Sequence, residues 1–429
     1  MPTHDSPGHR GAPAVPARPA SYRTVLAVPE FRALLLAQTL ATCGGVVVQL
    51  TLSVLVYART GSALLASLAF ALGFTPYLFG AALLSAVADR YPAQDVLVAC
   101  QALSCAMAAA MALPGLPVPA LLALVLVLGI AAPVFQGARA AALPDLLPAG
   151  GYPLGRSLLR LVSQSTQVAG FAVGGLLLLA VPAGQALLAS AAGFAVATLV
   201  LRYGTRRRAA RLPAGGSVAR ASLAGVRRVL AVPGLRPLLL LTWLPPALAV
   251  APEALAAPYA AELGAGPGGA ALLLCAAPAG SVAGELLYGT LLSPRTRARL
   301  LVPSAVLIFV PLLGFAFRPG LMAATALLVL SGLGYPYAMA LDQRTLEAAP
   351  AELRGRTLTL ALAGLMAGQG LGFAAAGAAA EFLAPPFVVA GAGLLGLVVL
   401  AFCGGGGGAD ARTGICRVPA RPFPQHPCP

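Results

Sequence analysis

Arg23-Thr24-Val25-Leu26-Ala27-Val28-Pro29-Glu30-Phe31-Arg32 returns later in the chain as Arg227-Arg228-Val229-Leu230-Ala231-Val232-Pro233-Gly234-Leu235-Arg236. The two copies differ only at Thr24/Arg228, Glu30/Gly234 and Phe31/Leu235. A long apolar run comes after each. Each copy reads as a basic, Pro-punctuated lead-in to a membrane helix. The same offset recurs at Gln49/Glu253 and Gly80/Gly284. It drifts by a residue or two at Pro114-Gly115-Leu116/Pro319-Gly320-Leu321, Pro144/Pro350 and Gln167-x-x-Gly170-Phe171-Ala172/Gln369-x-x-Gly372-Phe373-Ala374, as changes in loop length would produce. The chain therefore reads as two similar halves.

Composition says what surrounds those halves. Of 429 residues, 59% are hydrophobic and only 10% charged, against about 25% charged in soluble chains. Uncharged intervals cover 33–58, 60–88, 96–138, 161–201, 319–341, 357–380 and 382–409. A spanning helix needs about 20 apolar residues, so the two longest intervals each hold two. Helices are expected at about 33–57, 63–88, 95–113, 119–142, 154–181 and 184–203 in the first half. In the second they are expected at about 237–262, 267–292, 299–317, 320–347, 355–381 and 385–402. The seventh is interrupted by Pro245, Pro246, Pro252 and Pro258.

Twelve helices return both termini to one side. Alternation then leaves only Arg59 and Arg318 on the far side, with every other Arg on the side of the termini. The positive-inside rule makes that side cytoplasmic. The expected organisation is a disordered cytoplasmic tail (1–22), a six-helix half (23–203), a cytoplasmic linker (204–226), a second six-helix half (227–402) and a flexible cytoplasmic tail (403–429). The fold class is all-α integral membrane, with twelve transmembrane helices in two pseudo-symmetric six-helix bundles. Two halves in parallel repeat are a common architecture of secondary carriers, whose substrate site lies between the halves near mid-membrane.

The residue inventory removes several chemistries. All 28 basic residues are Arg, so a Lys-type phosphate-binding loop and a Schiff-base Lys cannot be built. The three His (His4, His9, His426) lie in the tails, and the seven Cys are scattered without a CxxC pair, so neither a metal site nor a disulfide framework is expected. No cofactor is expected. The net charge of +15 is read as topology and lipid headgroups, not nucleic acid. A membrane-embedded enzyme would need clustered ligands such as paired Asp motifs or HExxH, and none is present.

Several motifs carry a family resemblance over about residues 27–402. They are Phe31-Arg32-x-Leu34-Leu35-Leu36-Ala37-Gln38-Thr39, Val56-Tyr57-Ala58-Arg59-Thr60-Gly61-Ser62, Ala88-Asp89-Arg90, Ala141-Ala142-Leu143-Pro144-Asp145-Leu146-Leu147-Pro148 and Gly170-x-x-x-Gly174-Gly175. With these the chain resembles the major facilitator superfamily, in particular its drug-efflux branch of macrolide and siderophore exporters. The resemblance implies export of a hydrophobic or amphiphilic small molecule by alternating access with proton antiport, from a monomer in the plasma membrane. It also implies that Asp89 and Arg90 latch the cytoplasmic gate. The chain departs from the family loop Gly-x-x-x-Asp-Arg-x-Gly-Arg-Arg at Ser85, Pro92, Ala93 and Gln94. Phe171 replaces the Pro of the helix-five kink, and Gln136-Gly137 lacks the Arg that precedes it in proton-coupled relatives. Uptake, or uncoupled uniport, is the alternative within transport; a non-transporting scaffold is the alternative outside it.

Polar groups at membrane depth are functional candidates because they are costly there. Counting from Arg236 at about 1.5 Å per residue places Glu253 roughly 25 Å along helix seven, as a proton carrier or an anchor for a cationic substrate. Gln49, Gln136, Gln167, Gln369 and Trp243 join Glu253 as the expected lining of one coupling and substrate cavity. Glu285, Asp342 and Arg344 join Asp89 and Arg90 as the expected cytoplasmic gate.

Overall fold

The structure is a computed structural model, described over residues 22–74, 76–77, 91–147, 152–208, 226–291, 296 and 300–405. Among the described residues it is all-helical, with twelve apolar helices in two six-helix bundles. Ten helices among the described residues are long and apolar enough to cross a membrane, and Ala63–Phe74 and Leu301–Phe317 are shorter apolar helices. After a short leading turn, Tyr22–Leu26, come α1 (Pro29–Thr60), α2 (Ala63–Phe74), α3 (Ala93–Met111), α4 (Val118–Leu146), α5 (Tyr152–Ala180) and α6 (Ala183–Gly204). In the second half α7 is three pieces, Leu235–Ala249, Ala251–Ala254 and Ala256–Glu262. After them come α8 (Gly266–Leu291), α9 (Leu301–Leu313), α10 in two pieces (Leu321–Gly332 and Tyr337–Ala348), α11 (Arg354–Ala379) and α12 (Pro385–Gly405).

The repeated lead-in sets the start of α1. Pro29 occupies its first turn, where a missing N–H costs nothing. The helix stops at Gly61, whose φ of 67° is left-handed and whose N–H donates to the Tyr57 carbonyl at 2.8 Å, a common glycine C-terminal stop. Helix ten, expected to be continuous, is broken. Pro336 has no N–H to give the preceding turn, and Gly334 lets the chain cross close over Ser304 and Ile308 of α9.

The end of the bundle where α1 starts and α6 finishes is basic. There Arg208 pairs with Glu30 at 2.7 Å, Arg206 with Glu30 at 3.6 Å and Arg207 with Asp95 at 2.8 Å. Glu30 and Asp95 lie in the first turns of α1 and α3, where a carboxylate also favours the helix dipole. The Gln94 amide donates to the carbonyls of Leu201, Arg202 and Thr205, which satisfies the open end of α6. At the opposite end Arg59 donates to the Leu116 carbonyl at 2.8 Å, and the Arg318 guanidinium lies 4.9 Å from the Phe387 ring centre.

The halves meet through α5 against α8 and α2 against α11. Along α5, Gly170 and Gly174 pack on α1 and Gly175 on Ala271 of α8, so small residues let one helix touch both halves closely. Phe171, at the position of the missing kink proline, is buried and α5 runs through it unbroken. Phe70 and Phe74 stack on Phe373 with ring centres 5.1 and 5.5 Å apart. One apolar core therefore joins Val46, Leu50 and Phe70 of the first half to Val250, Leu255 and Phe373 of the second.

Candidate functional site

A cavity of about 540 Å³ lies between the halves toward the basic end. Its first-half wall is one face of α5, with Arg156, Ser157, Arg160 and Gln164. Its second-half wall carries Glu285 and Leu286 of α8, Met339, Asp342 and Leu346 of α10 and Leu358 of α11, and Leu161 of α5 adds to the apolar lining. Arg160 stands between two carboxylates of the other half, Nη2 at 3.5 Å from Glu285 and Nη1 at 4.0 Å from Asp342. Arg156 is within electrostatic reach of Asp342. Glu285 is the more enclosed partner, its side chain 20% exposed against 54% for Asp342. The planar guanidinium holds two acceptors at once, which an ammonium would do with less directional control. Asp342 and Glu285, both expected at the cytoplasmic gate, thus share one Arg of the other half. Arg344 is half-buried on the same helix. Asp89 and Arg90 lie outside the described residues.

A second cavity, of about 260 Å³, lies within the first bundle between α1, α2, α3, α4 and α6. Gln49 and Gln136 line it. The Gln136 carbonyl accepts from Arg139, whose other terminal nitrogen is buried without a partner. Arg139 escaped the sequence reading, although it sits three positions after Gln136 in an otherwise uncharged stretch of helix. Gln38 and Gln101, which line the same space, escaped it as well.

Six residues are expected from the sequence to line one substrate cavity. Of these, Gln49 and Gln136 line the smaller cavity, while Gln167, Gln369, Glu253 and Trp243 line neither of these two. Trp243 instead packs on Gly364 and Gly368 of α11, and its Nε1 donates to the Ala361 carbonyl at 3.0 Å. The glycines leave a groove that the indole fills, so it pins α7 to α11. Glu253 is half-buried in the short middle piece of α7, beside Tyr335, and its carboxylate makes no hydrogen bond or ion pair among the described residues. No group of three or more potential metal ligands occurs among the described residues.

Residues 34–343 match the family model described as Major Facilitator Superfamily. The chain belongs to that superfamily. It is a transporter and not an enzyme. Solved structures agree on the fold. A POT family transporter in complex with 5-aminolevulinic acid superposes with a TM-score of 0.67 at 11% identity, covering 88% of this chain and 98% of that one. The nucleoside transporter NupG gives 0.66 at 14%, covering 89% and 99%. A bacterial homologue of the human lysosomal transporter Spinster, in an inward-facing and unoccupied conformation, gives 0.62 at 16%, covering 90% and 96%. No curated protein sequence matches.

Proposed function

We propose that this superfamily member exports a hydrophobic or amphiphilic small molecule by rocking one half against the other, driven by proton antiport. One observation carries the reading. The halves are joined by packed small and aromatic residues away from the Arg run, while a cavity with apolar walls and charged groups from both halves lies between them toward it. Such walls suit a molecule that is part apolar and part polar. The Arg160–Glu285–Asp342 cluster is the gate at that end, because it links the halves ionically there and must part when they separate. On this reading the protein is a plasma-membrane monomer whose basic end, with both termini, faces the cytoplasm, as the positive-inside rule favours. Glu253 is the proton carrier: a carboxylate in a broken membrane helix, with no ionic partner among the described residues, has a reason other than stability to be there.

The test is dye export from proteoliposomes with an imposed proton gradient, using an amphiphilic fluorescent dye. Wild type is expected to respond to the gradient and Glu253→Gln to lose that response while still exchanging dye. Coupled export unchanged in Glu253→Gln would remove Glu253 from the mechanism. Flux indifferent to the gradient in wild type would favour uniport, and accumulation against the expected direction would favour uptake.

A further inference from the structure

The cavity inside the first bundle has a lining of its own kind. Gln38 and Gln49 face it from α1, Gln101 and Ser104 from α3, and Gln136 from α4. Every lining residue belongs to the first half, so this space is separate from the cavity between the halves. Gln38 and Gln101 are only 6% and 3% exposed. Gln38 donates through Nε2 to Thr42 and Ser163, yet its Oε1 has no partner. The amides of Gln49 and Gln101 make no hydrogen bond among the described residues. Buried amides are almost always paired, and leaving one dry and unpaired is unfavourable. Three amides with open hydrogen-bonding positions, converging on one space from two helices, are the mark of a site and not of a packing fault.

The chemistry of the occupant is set by the wall. No charged side chain lines the space, and Arg139 reaches it only through the Gln136 carbonyl, so the wall itself offers an ion no direct counter-charge. A carboxamide offers a donor and an acceptor in one plane, and it pairs doubly with an edge that offers the same, as Gln does with the N6/N7 edge of adenine. Phe135 and Phe194 supply aromatic surface in the same wall. The volume lies below the roughly 300–1,000 Å³ of drug-sized sites, so the occupant is small. We propose that the first bundle holds a ligand site, distinct from the cavity between the halves, for a small uncharged planar molecule with adjacent donor and acceptor groups, of one ring or two fused rings. The proposal does not depend on the direction or coupling of transport.

The experiment uses the full chain in lipid nanodiscs with adenine and uracil as probes, read by calorimetry and thermal unfolding. Toluene, of similar size but apolar, and benzoate, planar but charged, are the controls. At least one heterocycle is expected to bind saturably at one site per chain and the controls not to. A Cβ added at Gly45, which lines the cavity, meets nothing within 4 Å, so Gly45→Leu fills the space from the wall and is expected to abolish binding. Gln101→Met keeps the side-chain length, removes the amide and is expected to weaken binding about tenfold. Gln185→Met, the same change at an exposed position at the start of α6, is expected to leave it unchanged. Failure of both heterocycles to bind would mean that water alone fills the chamber, and equal binding of toluene would mean an apolar void; either overturns the proposal. So does binding that survives Gly45→Leu. Should that variant not fold, the contrast between Gln101→Met and Gln185→Met decides alone: equal effects overturn the proposal.

Discussion

Glu381, just past the end of α11, accepts a hydrogen bond from the Ser62 hydroxyl at 2.7 Å, and the same oxygen accepts the Leu64 N–H at 2.9 Å. Ser62 and Leu64 open α2 in the other half. One carboxylate therefore caps a helix start and ties the two halves together at the end opposite the Arg run.

The Leu64 N–H and then the Ser62 hydroxyl hold the Glu381 carboxyl below the usual Glu range, because both favour its charged form. The state containing the contact thus has the lower pKa. Its stabilisation is present when the pH is above the ordinary Glu value and is lost as the pH falls through the depressed one. Spin labels flanking this contact are expected to separate more often as the pH is taken from neutral to strongly acid. Glu381→Ala is expected to show the separated population at neutral pH and little further change in acid. A wild-type distribution independent of pH would contradict this.

Gly377 of α11 lies against Ser67 and the Leu64 backbone of α2, with the Leu64 Cα 3.0 Å from where a Cβ would sit. Backbone cannot move aside as a flexible side chain can, and overpacking costs about 1–3 kcal/mol. Gly377→Val is expected to shift the conformer balance away from contact at this end and to slow transport about tenfold. Cross-linking between cysteines placed at Ser67 and Ala378 would fall in parallel; undiminished cross-linking would show that the two helices need not approach this closely.

Arg160 is half exposed and its carboxylate partners sit at 3.5 and 4.0 Å. Pairs of this kind are worth about 0–1 kcal/mol. A double-mutant cycle between Arg160→Gln and Glu285→Gln, read by thermal unfolding, is expected to give a coupling below about 1 kcal/mol. Opening at the basic end, tracked by single-molecule fluorescence, is expected to become more frequent in either single variant. A large stability loss without a change in opening would make the cluster structural.

Trp243→Phe removes the donor to Ala361 and part of the ring that fills the α11 groove. It is expected to cost about 1 kcal/mol for the bond, with additional loss from the unfilled groove. Substrate KM should stay unchanged. A shifted substrate preference with normal stability would return Trp243 to the transport path.

The interruptions of α7 were legible because Pro acts on its own turn. Glu285 and Asp342 were legible as candidates because a carboxylate at membrane depth is costly wherever it points. That both would share Arg160 was not legible, since that residue is on the other half. Arg139 counts in the sequence among the Arg residues on the side of the termini, and nothing local in the sequence sets Gln38 and Gln101 apart from amides that bond between helices.

By itself the sequence determined the helices, their pairing into two halves and the crowding of Arg on one face. Lipid leaves the backbone no partner but its own helix, and that demand is written locally in every apolar run. Only the tertiary structure decided which polar groups share a space. Helices that are apolar nearly all round carry no stripe to orient them, and the breaks in α7 and α10 re-aim the helical pieces beyond them. That is why Gln49 faces a chamber with Gln101 while Glu253, its counterpart in the repeat, lies beside Tyr335 in a broken helix.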